Sequence, residues 1–192
     1  MIRLSPPDPP LDDGVVRLRA LRADDAAPYA AAFRDDTELG LLAGVPEDPD
    51  EDAARRRILE TGPEHAARGS AIELAIAASE DDRFLGAALL WHVDWEALRG
   101  EIGMWMAAGD RSSGVGSRAL ALLVEWAFDA YGLHRIHLET FPENAAARRV
   151  AEHVGFVHEG VLREHAVERG RRVSIAVYGL LAREWAARQR TT

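Results

Sequence analysis

"RSSGVGSRALALLVEWAF", Arg111–Phe128, joins an arginine and two glycines directly to an apolar, helix-forming run. A helix N-terminus leaves backbone N–H groups without intrahelical partners and carries partial positive charge. Glycine lets a ligand come close to that backbone. The stretch therefore reads as an anion site, for phosphate above all. Leu120, Leu122, Leu123, Val124, Trp126 and Phe128 cover most of the following helix, which marks them as core packing rather than a binding box.

On the N-terminal side of the turn, three strands are predicted at Ala71–Ala77, Phe84–Val93 and Glu101–Ala107. The turn-rich links "SEDDR" and "DWEALRG" predict hairpins between them. Before these come a strand at Val15–Leu21 and a helix capped by Asp24 or Asp25 and running through about Phe33. A charged surface helix follows from about Pro49 to Glu60, anchored by Ile58 and Leu59. On the C-terminal side, a helix over about Gly116–Ala130 leads to a strand at Arg135–Thr140. Asn144 then starts a helix that Gly155 stops, and strands at about Phe156–Glu164 and Val173–Leu180 precede a short tail around Arg183–Arg188. The expected fold is α/β (α+β): a proline-rich flexible tail over 1–13, then one domain over 14–188. Its mixed sheet would hold about seven strands, with helices on both faces.

Composition narrows the function. The chain of 192 residues is 47% hydrophobic and 29% charged, which is globular. No cysteine is present, so disulfides, thiol nucleophiles and cysteine-ligated metals are excluded, and a cytoplasmic location is expected. A formal net charge of −9 speaks against a nucleic-acid partner and favours a cationic one, such as an amine or a basic peptide. A local nest of N–H groups can still bind an anionic cofactor against that sign. The longest apolar stretch, Phe84–Trp91, is too short to cross a bilayer, so no membrane partner is expected. No metal is expected either, because His134 and His137 fall on opposite faces of their strand.

Three phosphate-binding patterns compete for the glycine turn. A P-loop needs a lysine, which the turn lacks. A dinucleotide fingerprint fits Gly114–Ala119 in letters, but it should follow its strand at once within a parallel βαβ unit. Here "AGDRSS" intervenes and antiparallel strands precede. The third pattern accounts for more of the chain. Arg111-x-x-Gly114-x-Gly116 resembles the acyl-coenzyme A pyrophosphate loop of the GNAT N-acetyltransferases. About thirty residues downstream, "ENAAARRVAEHVGF" resembles that family's Asn-x-x-Ser/Ala helix ending in Gly-Phe. The strand "EIGMWM" and the segment "EGVLREHAVERGRRVSIAVYGLL" resemble the ribosomal-protein (RimJ/RimL-like) branch, and the resemblance covers about Val15 to Trp185.

The resemblance implies that the strands at Glu101–Ala107 and Arg135–Thr140 splay apart and that pantetheine of acetyl-coenzyme A lies in the gap. Backbone groups of Met104, Trp105 and Met106 would meet the pantetheine or the acyl carbonyl. Arg111, Ser112, Ser113, Gly114, Val115, Gly116 and Ser117 would hold the pyrophosphate, and the Asn144 amide would reach the pantetheine. Acyl transfer to an amine needs a proton acceptor, for which Glu101 comes first and Glu139 second. Alternation places Arg135, His137 and Glu139 on one strand face. Ala147 and Ala151 stand where relatives carry a serine and a tyrosine, so no general acid is named.

The expected activity is direct acetyl transfer to a primary amine, a protein or peptide N-terminus by resemblance to the branch. Small amines or antibiotics as acceptors, succinyl-coenzyme A as donor, and a non-catalytic acyl-coenzyme A sensor are the alternatives. A homodimer through the last strands is suggested by the resemblance alone.

Overall fold

The computed structural model describes residues 2–36, 50–111, 114–168 and 170–190. Its strands are β1 Leu11–Asp12, β2 Val16–Ala20, β3 Ala71–Ala78, β4 Phe84–Asp94, β5 Arg99–Met106, β6 Arg135–Thr140, β7 Val157–Glu168 and β8 Arg171–Leu181. Its main helices are α1 Ala26–Asp35, α3 Val115–Tyr131, α4 Ala145–Val154 and α5 Ala182–Gln189. Between α1 and α3 lies α2, in which Glu51–Arg56 continues through a π-helical turn at Arg57–Thr61 into Gly62–Ala67. No helix among the described residues is long and apolar enough to cross a membrane.

One sheet carries all eight strands in the order β1-β2-β3-β4-β5-β6-β8-β7. Every neighbouring pair is antiparallel except β5 and β6. That pairing is what the hairpin links predict, and it rules out the parallel βαβ frame of a dinucleotide fold. Two cores form. Ile102, Leu123, Ile136, Leu138 and Tyr178 pack with α3 and α4 on one face. Tyr29, Phe33, Ile58, Ala87 and Trp105 pack with α1 and α2 on the other.

Local chemistry sets the element ends. Asp50 accepts the Ala53 N–H at 2.7 Å to start α2, and Asn144 accepts the Ala147 N–H at 3.0 Å to start α4. Gly155, at φ +116°, closes α4 in a conformation that disfavours side chains. The predicted start of α2 at Pro49 lies outside the described residues, and the helix runs past Glu60 to Ala67.

Two expectations change. The stretch read as a C-terminal tail is helix α5. Glu184 accepts the Leu181 N–H at 3.0 Å, and Trp185 is buried in the core. The proline-rich N-terminus is anchored rather than loose. Leu4 is buried and donates its N–H to Ala66 O at 2.9 Å, the Ser5 N–H donates to the Tyr131 hydroxyl at 2.9 Å, and Leu11–Asp12 adds the eighth strand. Two leucines among the prolines bury enough apolar surface to hold the segment, which polar composition alone conceals.

Gly86 of β4 lies opposite Met106 of β5. A Cβ there would lie 2.1 Å from Trp105 O, a backbone atom that cannot rotate away. Gly86→Ala should therefore cost about 1–3 kcal/mol, read as a lower urea midpoint at unchanged slope. An unshifted midpoint would mean that β5 yields without penalty.

Candidate active site

Strands β5 and β6 pair at three positions only, Arg99 with Arg135, Gly100 with Ile136 and Glu101 with His137. Beyond Glu101 they part. β5 stays with β4 as far as Met106, while β6 stays with β8 as far as Thr140. The result is a V-shaped opening with Glu101 and His137 at its vertex.

Backbone phase decides what lines this opening. The Ala107 N–H donates to Leu85 O at 2.8 Å. Alternation then turns the backbone groups of Gly103 and Trp105 toward β4, and those of Ile102, Met104 and Met106 toward the gap. Met104 thus presents the N–H and C=O groups that an extended amide chain could pair with, and Met106 presents its N–H, its C=O already accepting from Arg111 Nε. Trp105 does not join them. Its indole is buried against Tyr29 and Phe33 at ring distances of 5.0 Å, so the residue belongs to the core beneath α1.

At the wide end of the V, α3 begins at Gly114, whose φ of +80° favours glycine. A Cβ at Gly114 would meet nothing within 4 Å. Gly116 lies close to β5, since a Cβ there would lie 2.9 Å from Met104 Cε, the end of a side chain that would have to shift. The first turn, with Val115, Gly116 and Ser117, contains no acidic residue, and Gly114 offers no capping side chain. Its N–H groups and helix dipole suit an anion. Ser112 and Ser113 lie outside the described residues. Arg111 ties the loop down: Nε donates to Met106 O at 3.0 Å, and Nη2 pairs with Asp36 Oδ2 at 2.6 Å.

Asn144 stands just past the end of β6. Its Oδ1 is used in capping α4, which leaves its side-chain N–H groups to reach outward. Ala147 lies in the first turn of that helix, and Ala151 is fully buried.

The two glutamates occupy different places. Glu101 is tucked in, its side chain 12% exposed, with Oε2 at 2.8 Å from His92 Nδ1 and 3.8 Å from His137 Nε2. Glu139 is exposed farther out on β6, opposite Val177. It lines a groove of about 490 Å³ with Arg99, Arg135, His137 and Glu159, on the face of β6 opposite Ile136 and Leu138. Arg135 grips Glu159 in a two-pronged ion pair at 2.7 and 2.5 Å and holds that carboxyl below its usual range. The pair lies directly over Gly179, where a Cβ would come within 2.5 Å of both side chains.

His92 was not legible as a site residue. Simple alternation puts it on the opposite face from Trp91. A bulge between Trp91 and Asp94, with His92 at φ +49°, turns its ring back to Glu101. The bulge left no mark in the letters "LLWHVD" beyond an interrupted apolar run.

Known proteins agree with this geometry. The model of an acetyltransferase (GNAT) domain matches residues 16–157, well over half of the chain. An uncharacterized N-acetyltransferase, p20 of Bacillus licheniformis, is 30% identical over 118 residues, which are 62% of this chain and 66% of that protein. YdaF of Bacillus subtilis, which bears a ribosomal N-acetyltransferase name, is 30% identical over 55% of this chain and 57% of its own length. The matched stretches thus span less than two thirds of either relative. Among solved structures, Mycobacterium smegmatis RimJ in complex with a coenzyme A disulfide superposes with a TM-score of 0.80 at 26% identity, over 89% of this chain and 84% of that one. The chain belongs to the GNAT acetyltransferase family.

Proposed function

We propose that the protein transfers an acetyl group from acetyl-coenzyme A to the α-amino group of a protein or peptide. The observation that carries the reading is the parting of β5 and β6 immediately beyond Glu101. It leaves β5 beyond Glu101 without a β6 partner, between a recessed carboxylate and a glycine-headed helix that follows β5 in the chain. The RimJ likeness and the ribosomal name of YdaF favour a protein N-terminus as acceptor.

The residues divide the work by chemistry. The first-turn N–H groups of α3 and Ser117 would hold the pyrophosphate, with Arg111 bracing the loop. Met104 and Met106 would pair with the pantetheine amides, and the Asn144 side chain would meet the same arm. The thioester supplies an activated carbonyl, so no covalent nucleophile is needed. Glu101 supplies negative charge where the incoming ammonium must lose a proton.

Thermal unfolding tests the site. Acetyl-coenzyme A at about a hundred times its Kd should add about 2.7 kcal/mol. For a domain of this size that is a rise of roughly 5–11 °C in Tm. Gly114→Asp should abolish the rise, because it adds a carboxylate at the anion site; since φ +80° strains any side chain there, the rise is measured from the variant's own unliganded Tm. An equal rise in the variant would place the pyrophosphate elsewhere. Peptides with free N-termini, a polyamine, and succinyl- in place of acetyl-coenzyme A then separate the acceptor and donor classes. Binding without turnover across that panel would support a sensor instead.

A further inference from the structure

We infer that His92 is the group that takes the proton from the attacking amine, through Nε2, and that Glu101 acts by orienting it. This inference rests on the acyl-transfer reading above and assigns its proton path.

Geometry sets the direction of the hydrogen bond. An ionised carboxylate only accepts, so the 2.8 Å contact with Glu101 Oε2 requires the proton on His92 Nδ1. The neutral ring then carries its lone pair on Nε2. The His92 side chain is 76% exposed, whereas the Glu101 side chain is 12% exposed. Nε2 therefore lies on the accessible side of the pair, and the carboxylate lies behind it.

The surroundings single out this imidazole. From β6, His137 approaches the same carboxylate oxygen at 3.8 Å, but it is only 20% exposed. At the end of β4, Asp94 pairs with Arg99 of β5 at 3.4 Å. Trp91 forms a wall: a Cβ on Gly103 would lie 2.6 Å from its indole, so the ring lies flush over Gly103 beside Glu101. Among the described residues, no lysine or arginine is paired with Glu101 in an ion pair, and its charge is directed to imidazoles. The bulge holds His92 at φ +49°, a left-handed state that histidine tolerates better than most side chains.

The chemistry balances. His92 Nε2 takes one proton from the ammonium, and the nitrogen lone pair so released forms the C–N bond at the thioester carbonyl. The C–S bond breaks with its electron pair on sulfur, and the second amine proton neutralises the thiolate. The imidazolium returns its proton to water at its exposed edge. An imidazole suits an α-amino group, which titrates near 7.7–8.0, better than a lysine amine near about 10.4. The pairing therefore also points to N-terminal acceptors.

The test uses the full chain, acetyl-coenzyme A and a set of short peptides with free N-termini. His92→Ala should lower kcat at least about 100-fold with KM for acetyl-coenzyme A within about twofold, and added imidazole should restore turnover in a dose-dependent way. His92→Asn keeps a donor to Glu101 yet should be as slow as His92→Ala. Imidazole nitrogen NMR supplies a readout without turnover: the neutral His92 ring should carry its proton on Nδ1 in the parent chain, and Glu101→Ala should remove that preference. A His92→Ala kcat within about threefold of the parent, a loss that imidazole does not rescue, or a parent His92 ring carrying its proton on Nε2 would each overturn the proposal. Failure of the unsubstituted protein to acetylate any peptide would instead remove the acyl-transfer reading and the proposal with it.

Discussion

Glu101→Gln should lower kcat by about 10²–10⁴-fold while leaving the response to acetyl-coenzyme A intact. The amide is nearly isosteric and can still accept from His92, so packing at the vertex of the fork survives. What disappears is the negative charge, in a spot where the side chain is 12% exposed and bulk water does little to replace it. Steady-state kinetics at saturating acetyl-coenzyme A checks the first half, and the Tm shift checks the second. Glu139→Gln is the matched control: its carboxylate is exposed along one arm of the V, so its effect should stay within about tenfold. Equal losses in both variants would move the proton acceptor from the vertex to the groove.

The largest loss of stability is expected far from the fork. Arg19 is buried in β2, and all five of its N–H groups find acceptors. Nη1 donates to Asp25 Oδ2 at 2.8 Å and to Ala20 O at 3.0 Å. Nη2 donates to Asp25 Oδ1 at 3.0 Å and to Asp82 O at 3.3 Å, and Nε donates to Asp82 Oδ1 at 2.9 Å. Asp25 also accepts the Arg22 N–H at 2.7 Å, which joins the start of α1 to the same network. Asp25→Ala strips a buried guanidinium of its two-pronged partner and should cost about 3–5 kcal/mol. Adding Arg19→Met to that variant should recover part of the loss, because an apolar pair no longer buries an unmatched charge. Urea unfolding of the single and double variants decides the point; a double variant weaker than the single would contradict it.

Asp82 adds a pH signature to this network. Burial works to raise its pKa, but hydrogen bonds and charge from Arg19 and Arg22 outweigh that and hold the carboxyl below its ordinary value. A carboxyl depressed in the folded state stabilises the fold fully above its unfolded pKa, near about 3.9. That contribution fades as pH falls through the lower folded value. Acid unfolding should therefore begin at a higher pH in Asp82→Asn than in the parent chain.

Much of this protein is written in periods and punctuation. Apolar runs and alternation between turn residues marked β2 to β6, Asn144 and Gly155 bounded α4, and Arg111, Gly114 and Gly116 marked the anion turn. These are local signals, set by side-chain direction and by which residues tolerate a cap or a positive φ. Glu101 was named through the family resemblance, which places a glutamate near the start of that strand, and not by any local signal. Tertiary structure alone decided the rest. That β5 and β6 part just after Glu101 depends on the two strands' separate allegiance to β4 and β8, which no short window contains. That Trp105 sinks beneath α1 while Met104 and Met106 edge the gap depends on the ladder's phase. His92 reaches Glu101 only through a bulge, and Leu4 and Leu11 anchor the N-terminal segment only because helices and strands far along the chain cover them. Local propensity names the elements, but long-range backbone pairing and burial choose which side chains meet.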